Sequence, residues 1–324
     1  MTVWLIRRLI QAVFVVLTMT VIVFVGVNVI GDPVEIMISP EADAAERLRA
    51  IAALGLDKPL WQQYLTFLGG LLRGDLGRSF VFNEPAIQVI LQRLPATLEL
   101  AVAAVLISIL VGIPAGLYAG LRPNSLGART LMAGSILGFS LPSFWVGLML
   151  IMVFAVQLGW LPSTGRGETV MALGVPWSFP TRDGLLHLLL PAFNLALFNV
   201  SLIMRLTRAG VREALPSDYV RFARAKGLRP SRVIGVHVMK NILIPVVTVV
   251  GLELGTTIAF SVVTESIFAW PGMGKLIIDS INLLDRPVIV AYLMLIVLLF
   301  VAINLTVDLL YTALDPRVRL DTQS

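Results

Sequence analysis

The chain has 324 residues, 57% of them hydrophobic and only 14% charged, with a formal net charge of +5. Soluble domains carry about 25% charged residues, so the deficit points to a membrane protein. The absence of cysteine excludes a disulfide framework and a thiolate metal site, and two distant histidines, His187 and His237, offer no metal centre.

A bilayer core is crossed by a helix of about 20 apolar residues. Six stretches reach that length: Leu9–Ile30, Leu98–Leu121, Met132–Val156, Leu185–Met204, Ile242–Val263 and Val288–Tyr311. The first follows Arg7-Arg8 like a signal peptide. Its apolar run is too long for one, and Val27-Asn-Val-Ile30 is a poor cleavage site, so it reads as a retained span. After it, a long loop runs from Gly31 to Arg93 with a helical pattern over Ala42–Leu54. A second pattern begins at Pro59 and sets Leu60, Tyr64, Phe67, Leu68 and Leu71 on one helical face. That helix either lies at the membrane interface or packs on the outer ends of the spans.

Pro142 and Pro191 interrupt the third and fourth spans, which is tolerated where neighbours satisfy the freed carbonyls. Polar groups lie inside the later spans: Asn194, Asn199 and Ser201 in the fourth, Glu253 in the fifth, Asn304 and Asp308 in the sixth. A carboxylate in a span is costly and normally faces a cavity or a partner. Glu253 is therefore either a pathway residue or a buried hydrogen-bonded group.

Six spans place both termini on one side. Fifteen of the 25 Lys and Arg lie on that side, against four on the short loops opposite. The long first loop exceeds the length over which the charge rule operates. The termini and the loop Arg205–Lys240 are therefore expected in the cytoplasm. Within that loop, Ser217 is placed to cap a helix beginning at Asp218, Gly227 to stop it, and Pro230 to start the next. Tyr219, Phe222, Ala223 and Lys226 are expected on one face, with Val220, Arg221 and Arg224 on others. A helix of about nine residues is marginal alone, so it needs a dock. A protein groove fits its aromatics. Lipid contact by the arginines remains open, and nucleic acid is disfavoured because no known binding module is present.

The fifth loop carries Phe268-Ala-Trp-Pro-Gly272, a tight aromatic turn that reads as a plug or gate, or equally as an interfacial anchor. The following Gly272-Met-Gly-Lys275 lacks the spacing and the Ser or Thr of a phosphate loop. No catalytic constellation appears.

The loop Asp218-Tyr-Val-Arg-Phe-Ala-Arg-Ala-Lys-Gly-Leu228 resembles the cytoplasmic "EAA" loop of ABC-importer permeases. Followed by Asn241-Ile-Leu-Ile-Pro-Val-Val247, it is similar to the dipeptide/oligopeptide/nickel permease family. Further stretches match that family in order: Gly31-Asp-Pro33, Leu54-Gly-Leu-Asp-Lys-Pro-Leu60, Gly74-Asp-Leu-Gly-Arg-Ser79, Arg93-Leu-Pro-Ala-Thr-Leu-Glu-Leu100, Ser140-Leu-Pro-Ser-Phe-Trp145, Leu158-Gly-Trp-Leu-Pro162, Phe268–Gly272 and Leu314-Asp-Pro-Arg317. They fit the first (B-type) member of the family's permease pair. Two residues depart from the pattern: Phe222 stands where a small Thr is expected, and Glu253 where many relatives have Gln.

The resemblance implies an all-α membrane protein with six transmembrane helices and the type I importer permease (MetI-like) fold. It implies residues 1–30 as an N-terminal span, 31–97 as an extracytoplasmic loop, 98–311 as a five-span core holding the coupling loop 205–240, and 312–324 as a cytoplasmic tail. The implied function is import of peptides across a bacterial inner membrane. The implied partners are a second permease, two ABC ATPases that bind the ATP and Mg, an extracytoplasmic binding protein and membrane lipid. This chain would carry no cofactor and no catalytic residue. Asp218, Tyr219, Val220, Arg221, Phe222, Ala223, Arg224, Ala225, Lys226 and Gly227 would couple to the ATPase. Asn194, Asn199 and Glu253 are candidates for the translocation path, and Phe268, Trp270, Pro271 and Gly272 for an outer gate. The competing function is a proton-coupled secondary transporter using Glu253.

Overall fold

The computed structural model describes residues 2–29, 43–53 and 55–314. The expectations for Gly31-Asp-Pro33 and for the tail beyond Leu314 lie outside the described residues. The helices are α1 (Thr2–Val29), α2 (Ala44–Ala53), α3 (Leu60–Leu72), α4 (Ala86–Leu121) and α5 (Leu126–Ser140). They continue with α6 (Ser143–Gln157), α7 (Arg182–Ala214), α8 (Asp218–Ala225), α9 (Pro230–Ile267), α10 (Met273–Asn282) and α11 (Arg286–Leu314). The last seven residues of α6 and Val233–Val238 within α9 are π-helical.

Among the described residues five helices are long and apolar enough to cross a membrane: α1, α4, α7, α9 and α11. The expected third span, Met132–Val156, is not one helix. It divides into α5 and α6, bent by 109° at Leu141-Pro142, and the count reaches six only if that pair is one span. Leu141 and Pro142 adopt extended ψ of 136° and 128°, the backbone that proline favours for itself and its predecessor. Pro191, by contrast, sits inside the continuous helix α7.

The chain forms two compact units, residues 1–95 with 272–301 and residues 96–271 with 302–324. In the first unit, α3 packs on α1. The Tyr64 and Thr20 hydroxyls hydrogen-bond at 2.8 Å, and the Phe24 ring meets Tyr64 and Phe67 at 5.3 and 6.0 Å. Packing is therefore the reading of this helix that the structure supports, although Leu60, Trp61 and Leu65 stay exposed. The stretch Gly74–Ser79 is tied to the start of α11. The Ser79 hydroxyl donates to the Asp285 carboxylate, which also accepts from the Phe80 amide at 3.1 Å.

In the second unit α4 and α7 approach closely along Gly112, Gly116 and Gly120. A Cβ on Gly116 would fall 2.5 Å from the Met204 carbonyl, and one on Gly120 would fall 2.7 Å from Val211. Small residues are how membrane helices reach such contact. The second unit also corrects the all-α expectation. Val170–Ala172 and Val175–Trp177 pair antiparallel as β1 and β2. Leu173 and Gly174 turn the chain with φ of 55° and 76°, the positive values of a tight hairpin turn. The fold is mostly helical, with this one hairpin among the described residues.

Candidate functional site

The stretch Arg205–Lys240, expected to be a cytoplasmic coupling loop, is not a loop over most of its length. α7 carries Arg205, Arg208 and Arg212 past the expected end of the fourth span, and α9 begins at Pro230. Only two short connections flank α8. Gly227 adopts φ +74°, so the expected glycine stop is present, and Pro230 occupies the first turn of α9. Ser217 stands at the N-cap position, but its hydroxyl donates backwards to the Ala214 carbonyl at 2.5 Å and caps nothing.

The faces of α8 also differ from expectation. Val220 and Ala223 are the buried pair, packed in one core with Val211, Val233, Val238 and Ile242. The expected grouping of Ala223 with the aromatics fails because Val233, Val238 and Ile242 cover Ala223 together with Val220. Tyr219 and Phe222 face outward at 41% and 62% exposure. The Lys226 ammonium lies 4.5 Å from the centroid of the Phe222 ring, and Arg221 reaches Asp218 at 3.8 Å. Arg224, Ala225 and Gly227 are exposed as well. The short helix is held rigidly from beneath and presents an aromatic and cationic outer surface.

Asn194, Asn199 and Glu253 come together. All three line one cavity of about 490 Å³ bordered by α5, α6, α7 and α9. The Asn194 amide donates to Thr264 Oγ1 at 3.0 Å, and the Asn199 amide donates to Thr257 Oγ1 at 2.8 Å. Thr256 donates to Glu253 Oε2 at 2.8 Å. Phe139, Phe198 and Phe260 supply the apolar wall, with Phe139 and Phe198 stacked at 4.8 Å. Glu253 is half-buried, hydrogen-bonded within its own helix and turned to this cavity.

Phe268 and Trp270 are 1% and 0% exposed, so neither is an interfacial anchor. The Trp270 indole donates to the Ala96 carbonyl at 2.9 Å, and the Phe268 carbonyl accepts from the Gly165 amide at 2.8 Å. Ala269 between them holds φ +46°. Pro271 is partly buried, and Gly272 is the N-cap residue of α10.

Besides Asp285, two buried carboxylates of the second unit escaped the sequence reading. Glu99, 5% exposed, accepts from Arg166 at 2.7 and 3.1 Å and from the Ser178 and Phe179 amides at 2.9 and 2.7 Å. Glu265, fully buried, accepts from Thr97 and Ser261 at 2.7 and 2.9 Å. Glu99 lies within the family-like stretch Arg93–Leu100, and Glu265 lies three residues before the family-like stretch Phe268–Gly272. The two regions meet each other through Thr97–Glu265 and Ala96–Trp270.

Residues 112–320 match the family described as "Binding-protein-dependent transport system inner membrane component", and residues 1–101 match the N-terminal segment of such components. The chain is 43% identical to the di/tripeptide transport system permease protein DppB of Pseudomonas aeruginosa, over 93% of this chain and 94% of that one. It is 39% identical to the oligopeptide transport system permease protein AppB of Bacillus subtilis, over 98% and 99%. A solved structure of the MetNI methionine ABC transporter, in an inward-facing form, superposes with a TM-score of 0.54 at 20% identity. It covers 72% of this chain and 99% of that one, which establishes the MetI-like fold. A proton-coupled carrier has no support from these likenesses. The chain is an ABC transporter permease subunit, a multi-pass inner-membrane protein that is not itself an enzyme, and it belongs to the binding-protein-dependent transport system inner membrane component family.

Proposed function

We propose that this permease passes di- and oligopeptides inward, in a complex with a second permease, two ATPases and an extracytoplasmic binding protein. The observation that carries the cargo class is near-full-length identity of 43% and 39% to permeases named for di/tripeptide and oligopeptide transport. Both termini and α8 lie in the cytoplasm in this reading, in keeping with the distribution of Lys and Arg. Residues 98–311 form the permease core, 31–97 the outer loop and 312–324 the tail.

Residues Asp218–Gly227 form the ATPase-coupling element, docking through Tyr219, Phe222 and Lys226. Val220 and Ala223 seat it in the core that α7 and α9 share, which gives it a firm hold on both spans. ATP-driven closure of the ATPases then has to favour one of two packed states by its contacts at this helix. Asn194, Asn199 and Glu253 line the path. The Phe268–Gly272 turn acts at the outer gate as a fixed corner, since its aromatic side chains are buried.

The test is ATP-driven peptide uptake by the assembled complex. Gly227→Pro removes the φ +74° stop, and Tyr219→Asp puts a carboxylate on the docking face. Both are expected to abolish uptake while the protein still inserts. Unchanged uptake would remove the coupling assignment.

A further inference from the structure

We propose that the cavity lined by Glu253 sorts cargo by charge, favouring solutes that carry a cationic group over those that carry an extra carboxylate. This rests on the reading above that the cavity lies on the translocation path.

Glu253 is the one charged residue among those described as lining the cavity. Its Oε2 is fixed by Thr256, while its Oε1 has no hydrogen bond among the described residues. Each asparagine amide gives one of its two N–H groups, to Thr264 and to Thr257, so the uncharged polar groups of the wall offer donors as well as acceptors. Glu253 alone adds a net charge, with one carboxylate oxygen left open. An ionised carboxylate only accepts, so the solute group that complements it is a cationic N–H donor. Arg205, on the same helix as the asparagines, does not offset this charge from within the lining. Its guanidinium lies over the Phe139 ring, 4.8 Å from the centroid. Phe139, Phe198 and Phe260 are themselves exposed, so the carboxylate acts on a solute held close against it rather than at long range.

The experiment uses the whole complex, with its partner permease, ATPases and binding protein, reconstituted in proteoliposomes. The probes are alanyl-lysine and alanyl-glutamate, and the readout is the ratio of their uptake rates. The binding protein's own preference is common to every permease variant and cancels when ratios are compared. Glu253→Gln is expected to lower the lysine-to-glutamate ratio by about five- to tenfold, Glu253→Asp to preserve it, and Glu253→Lys to lower it further. An unchanged ratio in Glu253→Gln and Glu253→Lys would overturn the proposal. Failure of both Glu253→Gln and Glu253→Ala to assemble would also overturn it, by making Glu253 a packing residue. Asn199→Trp separates the two levels. If this bulky side chain blocks uptake while the Glu253 ratios stay constant, the path stands and charge sorting falls. If it leaves uptake intact, the cavity is not on the path and the underlying reading falls too.

Discussion

Breaking the Glu99–Arg166 pair tests the construction of the hairpin region. Glu99 accepts two hydrogen bonds from the guanidinium and two from backbone amides, and the paired side chains are 3% and 9% exposed. Arg166 also donates to the Pro176 carbonyl at 2.7 Å, so the pair clasps β2 directly. Glu99→Ala leaves a buried guanidinium and two amides without their acceptor. Removing one partner of a buried pair typically costs about 3–5 kcal/mol. For a chain of this size that corresponds to a fall in melting temperature on the order of 5–10 °C. The measurement is thermal unfolding of the purified complex in detergent, followed by retention of the monodisperse peak on size exclusion. The double change Glu99→Leu with Arg166→Met removes both charges and is expected to recover at least about half of the loss, because the penalty comes mainly from the stranded charge. A single variant melting within about 1 °C of the parent would refute the reasoning. So would a double variant no better than the single one.

Two further outcomes follow from packing distances. Gly116→Leu sets a side chain into the Met204 carbonyl and Thr207, at 2.5 and 2.7 Å for the first atom alone, and is expected to abolish accumulation of folded protein in the membrane. Gly134→Ala, with nothing within 4 Å of the added carbon, is the neutral control on the same immunoblot. Trp270→Phe keeps the ring volume roughly but deletes the bond to the Ala96 carbonyl, a loss of about 1 kcal/mol read as a small drop in melting temperature.

What the sequence made legible were the features decided locally. Gly227 and Pro230 bracket α8 because only glycine readily takes its positive φ and proline suits a helix start. The polar residues of the fourth and fifth spans were legible as a group because a membrane leaves polar side chains few places to face. What escaped were features decided at a distance. Val170–Ala172 and Val175–Trp177 are too short to show alternation, and the clasp on them comes from Glu99, far back in the chain. Val220 rather than Tyr219 turns inward because Val233 and Val238 arrive later in the chain to cover it. The burial of Trp270 was not legible, and gate and interfacial anchor stayed open, because its acceptor, Ala96, lies 174 positions away. Pro142 was visible as an interruption, yet a proline of the same kind at 191 leaves its helix continuous. Only the surrounding packing separates a kink from a corner.

The length of α7 has a mechanical consequence. At its C-terminal end Val211 and Ala214 belong to the core that seats α8, and farther along the same helix Asn199 and Asn194 line the cavity. Seventeen residues of helix separate Val211 from Asn194, a rod of about 25 Å. Proline is absent from that interval, Pro191 lying beyond it. A helix without a kink bends little over such a distance. A small pivot where α8 seats therefore swings the asparagines through a comparable arc, as a stiff lever does. If α8 couples to the ATPases as proposed, no chain of side-chain rearrangements has to carry that signal to the cavity.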